Sequence, residues 1–475
     1  MDISEALEVM GIEFKTPLDP DWILYSTTYN SRVPAIPKFV ILPANIDQVS
    51  YAVFCANVYD LKVQARSGGH SYASHSSGGV DGSLVVDLRK LQNIDLCGSD
   101  IVRAGSGVRL GDLATSIFTF GEAAIAHGTC PSVGIGGHFT HGGFGMQSRA
   151  WGLAMDHIVG LDVVMADGEV VRASDSDNTH IFKAMRGAAD SFGIIVNFYL
   201  RTQQAPRAVV KWTVDVPEAM ISVKNAVEAF ELVQDFANNP YFVDRRLGLM
   251  VFLQHGRFTL EGTYLGSVDE FSSKILVKLL HCFRHKRGIE VRFCQLDWLK
   301  LLRAVAGDTD LEVDPNNAER QCFFAKSAAV AHPGLSRDVL EEYFTYLLGN
   351  GAETPIDYFV GVQLYGGADS RITAYSMDDS FGHRNAMWIF QHYGFVKECR
   401  GLPEFPKEGI QFVEGLNKAL GPGHGASSNY ADPSLERDEA LQLYYGEKLE
   451  GLMMLKGVLD PKNMFSHPQS IPPKF

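Results

Sequence analysis

A histidine and a cysteine, each set in a glycine-rich loop, are the residues of this chain best suited to do chemistry. His70 lies in Arg66-Ser67-Gly68-Gly69-His70-Ser71-Tyr72. Cys130 lies in His127-Gly128-Thr129-Cys130-Pro131-Ser132-Val133-Gly134-Ile135-Gly136-Gly137-His138. An imidazole nitrogen and a thiolate both attack electron-poor carbon. Glycines let backbone N–H groups come close to a large, flat, phosphate-bearing ligand at φ values other residues avoid. Each loop follows a predicted strand, so both nucleophiles can reach one ligand. The pair predicts a cofactor held by covalent bonds rather than one that exchanges, and an electron-poor ring system such as a flavin suits it.

Other patterns fall away. The seven cysteines form no Cys-x-x-Cys pair, so a structural zinc is not expected. Their odd number leaves at least one outside intramolecular disulfides, and Cys130 is assigned to a different bond. His138 and His141 are spaced like metal ligands but lack the further ligands of a metal site, so no metal is expected. Gly134-Ile135-Gly136-Gly137-His138-Phe139 lacks the last glycine of a dinucleotide fingerprint, and no Gly-x-Ser-x-Gly elbow appears.

The elements that must position the two loops follow from periodicity. Strands are predicted at 39–43, 61–65, 84–88 and 101–105, with helices at 46–58 and 110–120. A hairpin joins 161–166 to 169–172 through Asp167-Gly168, read as a type I′ turn. From Val209 strands (209–214, 247–254, 258–265, 359–365) alternate with helices (217–237, 269–280, 336–348), which predicts a mixed or antiparallel sheet backed by helices. A helix is predicted over 435–457. The expected class is α+β, with an α/β unit over 1–205 and a substrate unit over 206–424.

Composition bounds the function. The 475 residues carry a net charge of −14, which argues against nucleic acid as a partner. The basic run Arg284-His285-Lys286-Arg287 with Arg292 reads as a solvated loop. No apolar run reaches the ~18 residues of a membrane-spanning helix. The acidic start and the lack of any Asn-x-Ser/Thr acceptor favour an intracellular protein, with a removed secretory signal as the alternative.

The two loops resemble the attachment motifs of berberine bridge enzyme-like flavoproteins, FAD-linked oxidases of the vanillyl-alcohol oxidase superfamily with a PCMH-type FAD-binding domain. The likeness spans nearly the whole chain. It includes Tyr29-Asn30-x-Arg32, Gly142-Gly143-Phe144-Gly145, Trp151-Gly152-Leu153-Ala154-Met155-Asp156, Asn429-Tyr430-Ala431-Asp432-Pro433 and Asp460-Pro461-x-Asn463-x-Phe465. Fungal carbohydrate oxidases and 6-hydroxynicotine oxidase-like enzymes are the most similar members.

The resemblance implies that the unit over 1–205 is an FAD-binding domain of two α/β subdomains, to which residues 425–475 return. It implies that His70 bonds the flavin 8α-methyl and Cys130 its C6. It implies that Arg66, Ser67, Gly68, Gly69, Ser71, Thr129, Val133, Gly134, Gly137, His138 and Asn429 surround the FAD, with Ile194 and Ile195 near its rings. Val133 stands where the family sets oxygen access, and its small size reads as permissive for O2. Tyr430 is implied as the base, a phenol of depressed pKa that takes a proton as hydride leaves for flavin N5. Tyr72 is a second aromatic in reach.

Two departures stand out. Carbohydrate oxidases carry an acid where this chain has Gln363, which can orient a hydroxyl but takes no proton. Strand alternation puts Gln363 and Tyr365 on one face, toward the flavin. Ala188-Ala189-Asp190 replaces a glycine-rich stretch. The expectation is therefore an FAD-dependent oxidase of a small specialised metabolite, with O2 as acceptor and H2O2 as product. The alternatives are an oligosaccharide oxidase acting at the anomeric C1–OH and a redox-neutral flavin cyclase.

Overall fold

The computed structural model describes residues 3–314, 320–374, 378–397 and 405–475. Short apolar runs with no polar alternation, such as Phe39–Leu42 and Leu84–Asp87, form strands buried on both faces. With Val63–Arg66 they make a parallel trio, edged by the antiparallel strand Glu13–Lys15. The helix Ile46–Val58 covers this sheet, and the Asn45 side chain caps it by accepting from the Gln48 N–H.

A second sheet is antiparallel throughout, in the order Ile94–Leu96, Ile101–Gly105, Ile194–Arg201, Ile158–Val164, Val170–Ser174. Its last two strands are the expected hairpin, but the turn differs. Among the turn residues only Gly168 has positive φ, +88°, and its N–H bonds the Met165 carbonyl. That bond makes Ala166 and Asp167 the central pair, both at negative φ, so the turn is an ordinary one closed by a left-handed glycine rather than type I′.

The third sheet has seven antiparallel strands, ordered Glu290–Leu296, Val209–Asp215, Arg257–Tyr264, Leu247–Gln254, Asp357–Leu364, Ala386–Val396, Cys322–Ala331. Helices Val223–Asn238, Arg337–Asn350 and Lys407–Ala419 bury one face in a core rich in Phe, Leu and Val. Three of these strands carry no period-2 signal. Glu290–Leu296 is an exposed edge, whereas Ala386–Val396 and Cys322–Ala331 are buried on both faces. The predicted helix over 435–457 is broken into Arg437–Tyr445 and Leu449–Leu459, because Gly446 takes φ +53°. The helix expected from 217 starts at Val223, where Ser222 caps it.

The chain end returns to the first sheet. Phe465 bridges Val63 in parallel, and Lys456 lies under it. The Lys456 ammonium, fully buried, donates to the Asp460 carboxylate at 2.6 Å and to the Ser191 and Phe465 carbonyls at 2.5 and 2.9 Å. Cys322 is disulfide-bonded, and Cys55, Cys97, Cys130, Cys282 and Cys294 are free thiols. Cys399 lies outside the described residues. Lys456→Met strands the Asp460 charge and two carbonyls in the core. It is expected to lower stability by about 3–5 kcal/mol, read as a fall in denaturant midpoint, and an unchanged midpoint would contradict the latch.

Candidate active site

The two glycine-rich loops touch each other. A Cβ on Gly68 would lie 2.1 Å from the Gly134 nitrogen, and one on Gly134 would lie 2.1 Å from the Gly68 nitrogen, so neither position admits a side chain. Arg109 clamps the contact: its Nη1 donates to the Gly68 carbonyl at 2.5 Å and the Ser132 carbonyl at 2.8 Å. Ser67 adds a third tie, donating to the Ser106 carbonyl and accepting from the Gly136 N–H. These glycines serve the loop–loop contact, a role the ligand-approach argument did not anticipate. Gly137 is different: a Cβ there would meet open space.

His70 packs against Tyr29, with ring centroids 4.4 Å apart and the planes tilted by 34°. Burial, with the nearby Arg109 charge, pushes its imidazole down to about 4, so it stays neutral and nucleophilic at physiological pH. The Cys130 Sγ lies 3.1 Å from the Ser132 Oγ. His70 hydrogen-bonds the Ser132 backbone, so both nucleophiles converge on Ser132, whose carbonyl Arg109 holds.

A cavity of ≈ 1110 Å³, counting its open mouth, runs along the loops, large enough for a dinucleotide. Of the residues expected at the cofactor, Ser67, Gly68, Gly69, His70, Ser71, Val133, Gly134, Gly137, His138 and Asn429 line it. Arg66 does not. It is buried behind the loop, where it donates to the Tyr25 and Ser76 carbonyls and pairs with Asp87 at 3.7 Å. Ile194 and Ile195 also stay in the hydrophobic cores, and Thr129 lines a separate cavity. His138 is held by its own loop: its Nε2 accepts from the Gly128 N–H at 2.9 Å, and burial takes it down to about 3.

Tyr430, Tyr365 and Tyr72 all line the same cavity. The Gln363 Nε2 donates to the Tyr430 Oη at 2.9 Å, and Gln391 does the same for Tyr72 at 2.9 Å. Tyr365 stacks on Phe144 at 4.5 Å. The expected low pKa of Tyr430 is not found. Burial raises it, and the Gln363 N–H opposes that only in part, so the resting group is a neutral phenol. Asp432 anchors the turn that carries Tyr430, pairing with Lys326 and accepting from Ser434.

Sequence reading missed the buried cluster at one wall. The Asp190 carboxylate accepts from the His467 Nε2 at 3.0 Å and faces the His141 Nε2 at 3.4 Å. The His467 Nδ1 accepts from the Gln469 N–H at 3.2 Å. The His141 Nδ1 lies 3.2 Å from the Gly137 carbonyl and 2.9 Å from the Thr140 Oγ1, an arrangement that suits the charged imidazolium. Burial opposes that charge, yet Asp190 outweighs burial and raises the His141 pKa, while the two imidazoles hold Asp190 well below the usual range. Arg109 was missed too. It precedes the helix Leu110–Gly121 with no motif of its own, whereas Asp190 was visible as a break in a glycine-rich stretch.

Cys130 itself is not among the residues lining the cavity, although Val133 and Gly134 of its loop are. A neutral imidazole at a dinucleotide-sized cavity, a half-buried thiol on the adjoining loop and a hydrogen-bonded phenol on the same wall define a flavin-linked oxidoreductase. The comparisons agree. A family profile described as "FAD binding domain" matches residues 37–174, and one described as "Berberine and berberine like" matches 427–472. Xylooligosaccharide oxidase of Thermothelomyces thermophilus is 32% identical over 486 residues, covering 99% of this chain and 94% of that protein. Chitooligosaccharide oxidase of Gibberella zeae is 30% identical over 485 residues, covering 99% and 95%. A solved structure of glucooligosaccharide oxidase from Acremonium strictum, described as carrying 6-S-cysteinyl, 8α-N1-histidyl FAD, superposes with TM-score 0.94 at 27% identity over 100% of both chains. The chain belongs to the berberine bridge enzyme-like family of FAD-linked oxidases.

The buried imidazoles make stability pH-dependent. His70 and His157 sit near 4 and His138 near 3, all below the ~6.5 of an unfolded histidine. Between pH ~6.5 and ~4 the unfolded chain binds these protons and the folded chain does not, so stability falls as pH falls across that window, with the raised His141, Glu261 and Asp112 acting in the opposite direction. Denaturant midpoints measured from about pH 7 to pH 4.5 should decline; a flat profile would contradict the neutral imidazoles.

Proposed function

We propose that this chain carries FAD on two covalent tethers, His70 and Cys130, and oxidises the anomeric C1–OH of an oligosaccharide, with O2 as acceptor and H2O2 as the second product. The bound flavin supplies the hydride acceptor. The single observation that carries the oxidase chemistry, with Tyr430 as its base, is the 2.9 Å hydrogen bond from Gln363 to the Tyr430 Oη at the wall of the cavity lined by His70. The oligosaccharide oxidases among the relatives favour this substrate class over the specialised metabolite first expected.

The residues fit the cofactor. His70 is neutral at working pH and so has a lone pair to form the 8α bond, and Gly137 leaves open space along the cavity. Tyr430 accepts the C1 hydroxyl proton in its phenolate form, which the Gln363 N–H stabilises and burial resists. Tyr72, fixed by Gln391, flanks Tyr430 with ring centroids 5.5 Å apart and limits how a substrate enters. The disulfide at Cys322 supports an oxidising compartment, the secreted branch of the localisation expectation.

A second reading rests on one observation. Gln363 stands where carbohydrate oxidases carry an acid. The sheet beside it presents Phe252, Phe359 and Tyr393 in a stacked strip, with centroids 5.4 and 4.9 Å apart. That strip suits a small alcohol with an aromatic body. Incubation with xylo-, cello- and chito-oligosaccharides and with benzylic and allylic alcohols separates the two. Lactone with peroxide from any sugar supports the first reading, peroxide from the alcohols alone supports the second, and neither product would overturn both.

Two further outcomes are expected. Acid-precipitated protein should weigh one FAD more than the polypeptide, an increment lost only in the His70→Ala, Cys130→Ala double variant; an unmodified wild-type mass would overturn the tethers. Because burial keeps Tyr430 protonated, turnover should climb with pH to about 10 and beyond, and Tyr430→Phe should cost roughly 10²–10⁴-fold in kcat. A pH-independent rate would remove Tyr430 as the base.

A further inference from the structure

We propose that His141, held against Asp190, is the cation that the cavity offers to the negative charge of bound FAD; this rests on the flavin of the reading above and not on its substrate. A carboxylate is an odd wall for such a ligand. FAD carries negative charge on its diphosphate, and on its ring when reduced, and protein charges near the ring tune its electronics. Among the described residues that line the cavity there is no Lys or Arg, and Asp190 is the one carboxylate. Arg66 and Arg109 do not line it and donate to backbone carbonyls instead.

The wall is arranged to cancel that carboxylate. The Asp190 Oδ2 faces the His141 Nε2 at 3.4 Å and the His467 Nε2 at 3.0 Å, and of these two imidazoles only His141 lines the cavity. The His141 Nδ1 faces the Thr140 hydroxyl and the Gly137 carbonyl, so each ring nitrogen meets oxygen. The Asn429 Nδ2 donates to the His141 carbonyl at 2.9 Å, which ties the residue to the turn that carries Tyr430. The other imidazoles of the cavity do not share the duty, because burial holds His70, His75 and His138 below the ordinary range. His75 stacks on His467 at 3.9 Å, and His467 and His141 both disfavour a proton on it. Two further groups face Asp190: the Tyr445 phenol, which burial keeps neutral, and Lys456, which is spent on Asp460.

Asp190 thus acts through His141. Alone, a carboxylate in a wall of low dielectric repels an anionic cofactor. Paired, it keeps a proton on the imidazole that faces the cavity. The charge works through its field rather than through a free N–H, since both ring nitrogens already have partners. Such a field favours negative charge on the bound cofactor, whether the diphosphate or the reduced ring carries it. The sign is decisive. Removing a carboxylate that acted on the flavin directly would ease its reduction, whereas removing one that acts by charging His141 makes reduction harder.

The test is the reduction equilibrium of the flavin-loaded enzyme, read by absorbance against a redox dye near pH ~6.5. His141→Gln and Asp190→Asn should each shift it about tenfold toward the oxidised form, ~30 mV for a two-electron couple. Asp190→Asn is nearly isosteric and covers the case where His141→Gln does not fold. The gap between wild type and His141→Gln should close as pH climbs well above ~6.5 and the imidazole discharges. A second arm titrates FAD into the His70→Ala, Cys130→Ala protein with and without His141→Gln. Affinity for FAD about tenfold weaker, with the reduction equilibrium unmoved, supports the proposal and assigns the charge to the diphosphate; a shifted equilibrium at equal affinity supports it and assigns the charge to the ring. Easier reduction in Asp190→Asn overturns the proposal, as do wild-type values in both arms, and either result leaves the oxidase reading intact. A wild-type chain that binds no flavin overturns both.

Discussion

The site depends on two backbones that meet with nothing between them. Gly68 and Gly134 approach so closely that any side chain on either would occupy the other's backbone. This contact, rather than any packing of His70 against Cys130, sets where the two nucleophiles stand. Arg109 makes it durable, because one guanidinium nitrogen satisfies a carbonyl from each loop. The arginine is buried and gives up hydration to do so, a cost that charge-assisted hydrogen bonds offset. Everything downstream, from the cavity shape to the reach of Tyr430, is built on a pair of loops that hold one register.

Electrostatics then divides the cavity wall by protonation state. Burial strips His70 and His138 of charge, so one is left a nucleophile and the other a hydrogen-bond acceptor for its own loop. A few residues away the same burial fails to neutralise His141, because Asp190 stands opposite. Identical side chains with comparable burial thus carry different charges, decided by a single carboxylate. The phenol of Tyr430 follows the same rule: its neutral amide partner Gln363 moderates the effect of burial without reversing it.

The cofactor and its chemistry were legible in the chain because they rest on local motifs: a His and a Cys in glycine-rich loops, and Asn-Tyr-x-Asp near the end. Elements with clean periodicity were legible too, such as the helix Ile46–Val58 and the strand Leu247–Gln254. Strands buried on both faces, Cys322–Ala331 and Ala386–Val396, were not, since no alternation marks them. Arg66 sits in the motif yet points away from the cavity, and Arg109 sits outside any motif yet organises it. Long-range partners of that kind have no sequence signature. The same holds for Asp190 and His467, which are 277 positions apart and meet only in the folded chain.

The return of the chain end to the first sheet has a temporal side. Synthesis delivers residues in order, and early segments begin folding before late ones exist. Here the strand Val63–Arg66, which feeds the His70 loop, is bridged by Phe465, and the Ser191 carbonyl beside Asp190 is held by Lys456. Tyr430 and Asn429 close the cavity from the same late stretch. The nascent first 200 residues therefore hold both nucleophiles without an enclosed chamber for them to act in. The stretch that closes the cavity is therefore made last, so the chamber takes its shape only after the residues at its far wall have been synthesised.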